Sequence, residues 1–143
     1  MNALTDKALG IALDAHSGAV DRYGNPYILH VIRVGMAGKS PEEIITGFLH
    51  DVVEDSEWTI TQLSALGFPD DILTAVECLT KREGEEYSDF VSRSATHPLA
   101  RSVKMNDLKD NLNLLRVKGD LSENDLQRLN KYLRAIEFLE KRA

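Results

Sequence analysis

The stretch Ile44-Ile45-Thr46-Gly47-Phe48-Leu49-His50-Asp51-Val52-Val53-Glu54-Asp55 decides how this chain is read. Its first half is largely apolar and belongs inside a core. Its second half holds a His-Asp pair and, one helical turn on, two more carboxylates. Grouping four ionisable side chains at the end of a buried helix is costly unless something offsets their desolvation. A divalent metal is the usual means. Acidic residues at a helix C-terminus are also disfavoured by the macrodipole, so their placement here points to function. Just upstream, Ser40-Pro41-Glu42-Glu43 reads as a capping box with Pro inside the helix start, which makes the apolar stretch a helix.

Helical patterns continue outward in both directions. Leu4, Ala8, Ile11, Ala12 and Ala15 recur at spacings of three and four, giving an amphipathic helix that ends near His16-Ser17-Gly18. A polar loop, Ala19 to Asn25, leads to Pro26 and a second helix, roughly Tyr27 to Ala37. Thr59-Ile60-Thr61-Gln62 is another capping box, opening a short helix that stops at Gly67. Pro69 to Leu79 and Tyr87 to Ser94 read as further helices, separated by a charged loop from Lys81 to Glu86. Thr96-His97-Pro98 breaks the pattern. Leu99 to Val117 is expected to form one long helix ending at Lys118-Gly119, and Ser122-Glu123-Asn124-Asp125 caps a last one reaching Lys141. Alternating β-type segments are absent. The expected fold is all-α, a compact single-domain helical bundle spanning residues 1–143.

Composition excludes several classes. Apolar residues make up 43% of the chain, enough for a core. A net charge of −6 argues against a nucleic-acid polymer as partner, but leaves room for a small phosphorylated ligand held by a metal and local cations. One cysteine, Cys78, excludes an internal disulfide and reads as a reducing cytoplasm. No run is apolar enough to span a membrane, and the N-terminus has no signal-peptide pattern. The chain is therefore expected to be cytoplasmic.

Other residues supply the ligands such a metal would need. His30 lies in the apolar segment Tyr27-Ile28-Leu29-His30-Val31-Ile32. A lone histidine there is ordinarily a core residue with one hydrogen bond, but the pair at His50-Asp51 turns the reading towards a ligand. If the segment through Asp55 is still helical, His50 and Glu54 share one face and Asp51 and Asp55 another. His50 and Asp51 then approach a metal while Glu54 and Asp55 point into adjacent solvent. Downstream, Lys104-Met105-Asn106-Asp107-Leu108-Lys109-Asp110-Asn111 offers a further carboxylate. Asp107 and Asp110 compete for the inward position, and spacing does not choose between them. Two His and two Asp make a mixed N/O site that suits Mn²⁺, with Fe²⁺, Co²⁺ or Zn²⁺ also compatible. Such a site leaves positions for water and a phosphate oxygen, and Glu54 or Asp55 would position or deprotonate the water. Arg22, near His16 and Tyr23, could clamp a phosphate or stack on a base. Lys81 and Arg82 read as a solvated basic spot, Trp58 and Cys78 as packing residues, and His97 is assigned no role.

His30, the adjacent His50-Asp51 and a distant Asp together resemble the HD-domain metal-dependent phosphohydrolases. Longer motifs narrow this to one branch. His16-Ser17-Gly18, Gly24-Asn25-Pro26-Tyr27-Ile28-Leu29-His30, His50-Asp51-Val52-Val53-Glu54-Asp55 and Lys104-Met105-Asn106-Asp107 with Asn111 are similar, in order and spacing, to the hydrolase domain of RelA/SpoT proteins. The resemblance covers about residues 4 to 140. It implies an HD-type bundle with Mn²⁺ held by His30, His50, Asp51 and Asp107, which selects Asp107 over Asp110. It implies that Glu54 and Asp55 serve catalysis and that Arg22, Lys104 and Asn111 contact substrate. The implied reaction removes the 3′-diphosphate of guanosine 3′,5′-bis(diphosphate), the stringent-response alarmone (p)ppGpp, releasing pyrophosphate. A stand-alone small alarmone hydrolase, monomeric or homo-oligomeric, is the expectation. Two departures touch substrate reading. Asp21-Arg22 stands where the family has Arg-Lys, and Asn111-Leu112-Asn113-Leu114 where it has Asn-x-Arg-Thr. A carboxylate at Asp21 is expected to weaken binding of a highly charged nucleotide. The alternatives are a phosphohydrolase for a different nucleotide or small phosphorylated metabolite, and a nucleotide-binding module without turnover.

Overall fold

In the computed structural model, which describes residues 3–141, the chain forms α1 (Ala3–Ala15), α2 (Tyr27–Met36), α3 (Pro41–Leu49), α4 (Val52–Asp55), α5 (Ile60–Ala65), α6 (Asp70–Cys78), α7 (Tyr87–Ser94), α8 (Pro98–Asn111), a 3₁₀ turn (Leu114–Arg116) and α9 (Glu123–Lys141). Helix α3 lies at the centre, packed by α1, α2, α6 and α8, and Ile45 to Leu49 are all buried. No strand occurs among the described residues. An isolated bridge between Val20 and Pro26 pins the loop that precedes α2. The all-α bundle expected from the sequence is the observed fold.

Caps start the helices largely where the sequence places them. Thr59 and Gln62 form a reciprocal capping box, as do Ser122 and Asp125. The box at Ser40 is half made. Ser40 Oγ accepts from the Glu43 N–H at 3.1 Å, but the Glu43 carboxylate accepts from the Lys39 N–H at 3.0 Å and from Asn106 Nδ2 at 3.2 Å. Glu43 thereby ties the start of α3 to α8.

Helices α2 and α3 cross with almost no space between them. A Cβ added at Gly47 would lie 2.7 Å from Gly35 Cα, and one at Gly35 would lie 2.3 Å from the Phe48 ring. The close crossing brings His30, on α2, and His50, just past α3, to a ring-centroid separation of 5.6 Å. The main core, with Ile11, Val31, Ile45, Phe48 and Leu49, supports this crossing from one side. Val34, Ala75, Leu79, Ala100 and Val103 support it beneath α8, and Val91, Leu108, Ala135 and Leu139 seat α7 and α9 against α8.

Two expectations are corrected. The helix does not continue through His50-Asp51: α3 ends at Leu49, Asp51 has φ −109° and ψ 0°, and α4 begins at Val52. On an unbroken helix adjacent residues point about 100° apart. The break lets the neighbouring His50 and Asp51 side chains meet. The long helix expected from Leu99 to Val117 stops at Asn111. Asn113 caps the 3₁₀ turn instead, accepting from the Leu115 N–H at 3.1 Å, a local bond that competes with helix continuation. Leu114 and Leu115 are 55% and 93% exposed, so no apolar burial opposes the break. Among the described residues no helix is long and apolar enough to cross a membrane.

Candidate metal centre and ligand cavity

The two central imidazoles are fixed in the same way. His50 Nδ1 lies 2.6 Å from the carbonyl oxygen of Gly47. A carbonyl only accepts, so Nδ1 carries the hydrogen and Nε2 of the neutral ring has a lone pair. His30 Nδ1 lies 2.6 Å from Asp110 Oδ2, with the same consequence. Both Nε2 atoms are buried and lack a hydrogen-bond partner. They nevertheless converge: His30 Nε2 is 3.0 Å and His50 Nε2 3.5 Å from Asp107 Oδ1, and His50 Nε2 is 3.0 Å from Asp51 Oδ2.

Lone pairs facing carboxylate oxygens repel unless positive charge lies between them. Burial alone would lower both imidazole pKa values. The charge of Asp51 and the contacts with Asp107 and Asp51 outweigh it at His50, which is held well above its ordinary value. The contacts with Asp107 and Asp110 raise His30 similarly. The site thus calls for a cation, and a divalent ion meets that demand while leaving both rings neutral. His30, His50 and Asp107, all buried, each present a ligand atom within 4.8 Å of the others. Such an N/O set fits a divalent transition metal.

Around this group the sequence candidates take distinct places. Asp51 sits 3.0 Å from His50 Nε2 but outside the tight trio, and its Oδ2 also accepts a short hydrogen bond from Tyr27 Oη. Asp107 is central and Asp110 stands behind His30, an arrangement that spacing alone left open. Lys104 is 7% exposed and its Nζ lies 3.1 Å from Asp107 Oδ2; Asn111 Nδ2 donates to Asp107 Oδ1 at 3.1 Å. Desolvation pushes the Asp107 carboxyl upward, but Lys104 and the two imidazoles prevail and hold it well below the usual range. Glu54 and Asp55 are exposed at the rim, and Glu54 Oε1 accepts from the Lys81 N–H at 2.7 Å. Flanking protein desolvates Asp55, and the charges of Asp51 and Glu54 add to this, pushing it up to about 7. Such a carboxyl exchanges protons near neutral pH, as a general base must.

The centre opens into a cavity of about 200 Å³ walled by Tyr27, Lys81, Lys104, Asn111, Lys131 and Tyr132. A second cavity of about 320 Å³ adjoins it, sharing Tyr27, Asn111 and Tyr132 and adding Arg22, Tyr23, Asn113, Arg116 and Arg128. Burial lowers the Lys131 pKa, and repulsion from Arg22, Arg128, Lys104 and Lys81 lowers it further. Five cations therefore share one field in a chain of net charge −6. Such a field draws an anion. Lys81, read from the sequence as solvated, is exposed and also lines this wall.

Asp21 also has a structural role. Its Oδ1 accepts from the N–H groups of Tyr23 and Asn25, each at 2.9 Å, and its Oδ2 lies 3.2 Å from Arg116 Nη2. Its charge is committed to the loop and to Arg116, so it opposes an anionic ligand less than a free carboxylate would. Arg22 is exposed at the rim beside Tyr23. Sequence reasoning missed Tyr27, Arg116, Lys131 and Tyr132 as parts of the site, and set Asp110 aside in favour of Asp107. Tyr27 carried a signal, since its three-residue spacing from His30 puts both on one helix face. Lys131 and Tyr132 carried none, because only the packing of α9 on α8 brings them there.

No family model matches the chain. In sequence it is 29% identical over 147 residues to a probable guanosine-3′,5′-bis(diphosphate) 3′-pyrophosphohydrolase of Synechocystis sp., covering 94% of this chain and 19% of that protein. It is 28% identical over 123 residues to guanosine-3′,5′-bis(diphosphate) 3′-pyrophosphohydrolase of Aquifex aeolicus, covering 78% of this chain and 18% of that one. The chain thus spans under a fifth of the length of these relatives. Its fold is shared with the solved structure of a metazoan ortholog of SpoT that hydrolyzes ppGpp, at a TM-score of 0.79 and 21% identity, over 97% of this chain and 86% of that one. The resemblance drawn from the motifs is thus carried by sequence and by fold.

Proposed function

We propose that this chain, a relative of the RelA/SpoT-type hydrolases, is a Mn²⁺-dependent enzyme that hydrolyses guanosine 3′,5′-bis(diphosphate) at the 3′ position and releases pyrophosphate. The observation that carries the reading is the pair of buried, unpartnered Nε2 atoms converging on Asp107 beside a cation-walled cavity. His30, His50, Asp107 and Asp51 would hold the ion. When bound, it supplies Lewis acidity, drawing charge from a phosphoryl oxygen and easing deprotonation of water.

The remaining steps fall to the chain's own residues. Lys81 and Lys131 bind the diphosphate oxygens in the smaller cavity, and Lys104 and Asn111 steady Asp107. Asp55 accepts a proton from the attacking water, and Glu54, anchored by the Lys81 N–H, orients that water. The nucleoside lies in the larger cavity, between Tyr23, Arg22 and Tyr132. The test is product identity. With Mn²⁺ and ppGpp, pyrophosphate and GDP are expected, and Asp51→Ala should abolish their release. Asn113, which caps its own turn where the family carries Arg, favours a second reading: another nucleotide or small phosphorylated metabolite as substrate. A panel of phosphorylated compounds, scored for phosphate against pyrophosphate release, separates the two.

A further inference from the structure

Behind the metal centre, on the side away from the smaller cavity, lies a charged group that the proposed reaction does not use. Asp110 Oδ2 receives His30 Nδ1 at 2.6 Å. The same carboxylate is gripped by Arg33, with Nε at 2.8 Å from Oδ1 and Nη2 at 3.2 Å from Oδ2. Arg116, 13% exposed at its side chain, holds it from the other side. Its Nη1 lies 3.1 Å from each of three acceptors, Asp110 Oδ2, the Asp110 carbonyl and Asn111 Oδ1. Its Nη2 reaches Asp21 Oδ2 at 3.2 Å, and its carbonyl accepts from Asn25 Nδ2 at 3.3 Å. One guanidinium therefore joins the end of α8, the carboxylate behind His30 and the loop that lines the larger cavity.

We infer that Asp110 and Arg116 are positioning residues: Asp110 fixes His30 with its Nε2 lone pair turned to the metal, and Arg116 locks Asp110 and the Asp21 loop in one register. The inference rests on the proposed metal centre. A histidine ligand whose other nitrogen donates to a carboxylate is held in tautomer and orientation, and loss of such a partner costs about 10–100-fold in metal affinity. The four contacts of Arg116 need a planar fork; a lysine ammonium cannot reproduce them together. The network also explains the break after Asn111. A continued helix would carry Arg116 away from Asp110, whereas the 3₁₀ turn folds it back.

The test is Mn²⁺ titration by calorimetry of the intact chain, without substrate. It uses wild type, Asp110→Ala, Asp110→Asn, Arg116→Ala and Arg116→Lys. A core variant on α5 that lines neither cavity, Leu63→Ala, serves as a control of comparable or greater destabilisation. Asp110→Ala is expected to lose about 10–100-fold in Mn²⁺ affinity. Asp110→Asn, which still offers an oxygen, should lose less. Arg116→Ala should weaken Mn²⁺ binding and raise KM, with Arg116→Lys recovering only part of either loss, while Leu63→Ala keeps wild-type affinity despite a lower Tm. Wild-type affinity in Asp110→Ala overturns the inference and leaves the metal centre standing. An equal loss in Leu63→Ala overturns it too, by assigning the effect to general destabilisation. Failure of wild type itself to bind Mn²⁺ overturns the metal centre and the inference together. Should Asp110→Ala not fold, Asp110→Asn decides by the same criterion.

Discussion

Gly47→Ala puts a methyl group where α2 already lies. The added Cβ would sit 2.7 Å from Gly35 Cα, 3.0 Å from Gly35 N and 3.1 Å from the Val34 carbonyl oxygen. All three are backbone atoms, so no side-chain rotation can make room. The helices must part by roughly 1 Å to recover ordinary carbon–carbon contact. Overpacking of this kind costs about 1–3 kcal/mol, and backbone contacts place the cost near the upper end. Against it stands about 1 kcal/mol gained by Ala over Gly in a helix. The net loss of about 2 kcal/mol corresponds to a fall in Tm of roughly 5–8 °C for a domain of this size. Gly10 supplies the opposite case: it is exposed on α1 with nothing within 4 Å of an added Cβ. Gly10→Ala should stabilise by about 0.5–1 kcal/mol. Thermal unfolding followed by circular dichroism reads both variants. The crossing also sets the separation of His30 and His50, so Gly47→Ala should weaken Mn²⁺ binding as well. A Gly47→Ala protein with a Tm at or above wild type would refute the close crossing.

Two further predictions concern the rim and the cavity wall. Asp55, pushed up to about 7, is protonated below that pH and available as a base above it. Hydrolysis should therefore rise with pH towards a plateau, along a limb that a bound cation moves downward. Asp55→Asn should lower kcat and flatten the limb, whereas an unchanged profile would remove Asp55 from the reaction. Because its folded pKa is raised, ionisation of Asp55 opposes folding as pH climbs from its unfolded value to about 7, so metal-free Asp55→Asn should unfold at a higher temperature than wild type at pH 8. Lys131→Gln, which removes one of the crowded cations, should raise KM for the anionic substrate and reduce the salt dependence of kcat/KM; equal kinetics at low salt would take Lys131 out of substrate binding.

The legible part of this protein was the part carried by local pattern. Apolar spacing and caps at Thr59 and Ser122 located most helices, and charged residues inside apolar runs exposed His30 and His50-Asp51. What stayed hidden depended on backbone breaks and on packing. The turn at Asp51, with φ −109° and ψ 0°, has no proline or glycine to announce it, yet it sets how His50 and Asp51 meet. Asn113 looked like a lost substrate contact. In the structure it caps the turn that returns Arg116 to Asp110. The rivalry between Asp107 and Asp110 had no winner by periodicity because both contact His30, one in front of it and one behind it. Asp21 read as a repulsive charge because its partner, Arg116, lies far along the chain.

The most direct measurement follows pyrophosphate release from ppGpp by chelator-treated protein before and after Mn²⁺ is restored, with Asp107→Ala run in parallel. The predicted result is no release without metal, release of pyrophosphate and GDP in equal amounts with Mn²⁺, and none from a folded Asp107→Ala. Release that persists through chelation, or that survives loss of Asp107, would contradict a catalytic ion held between His30, His50 and Asp107.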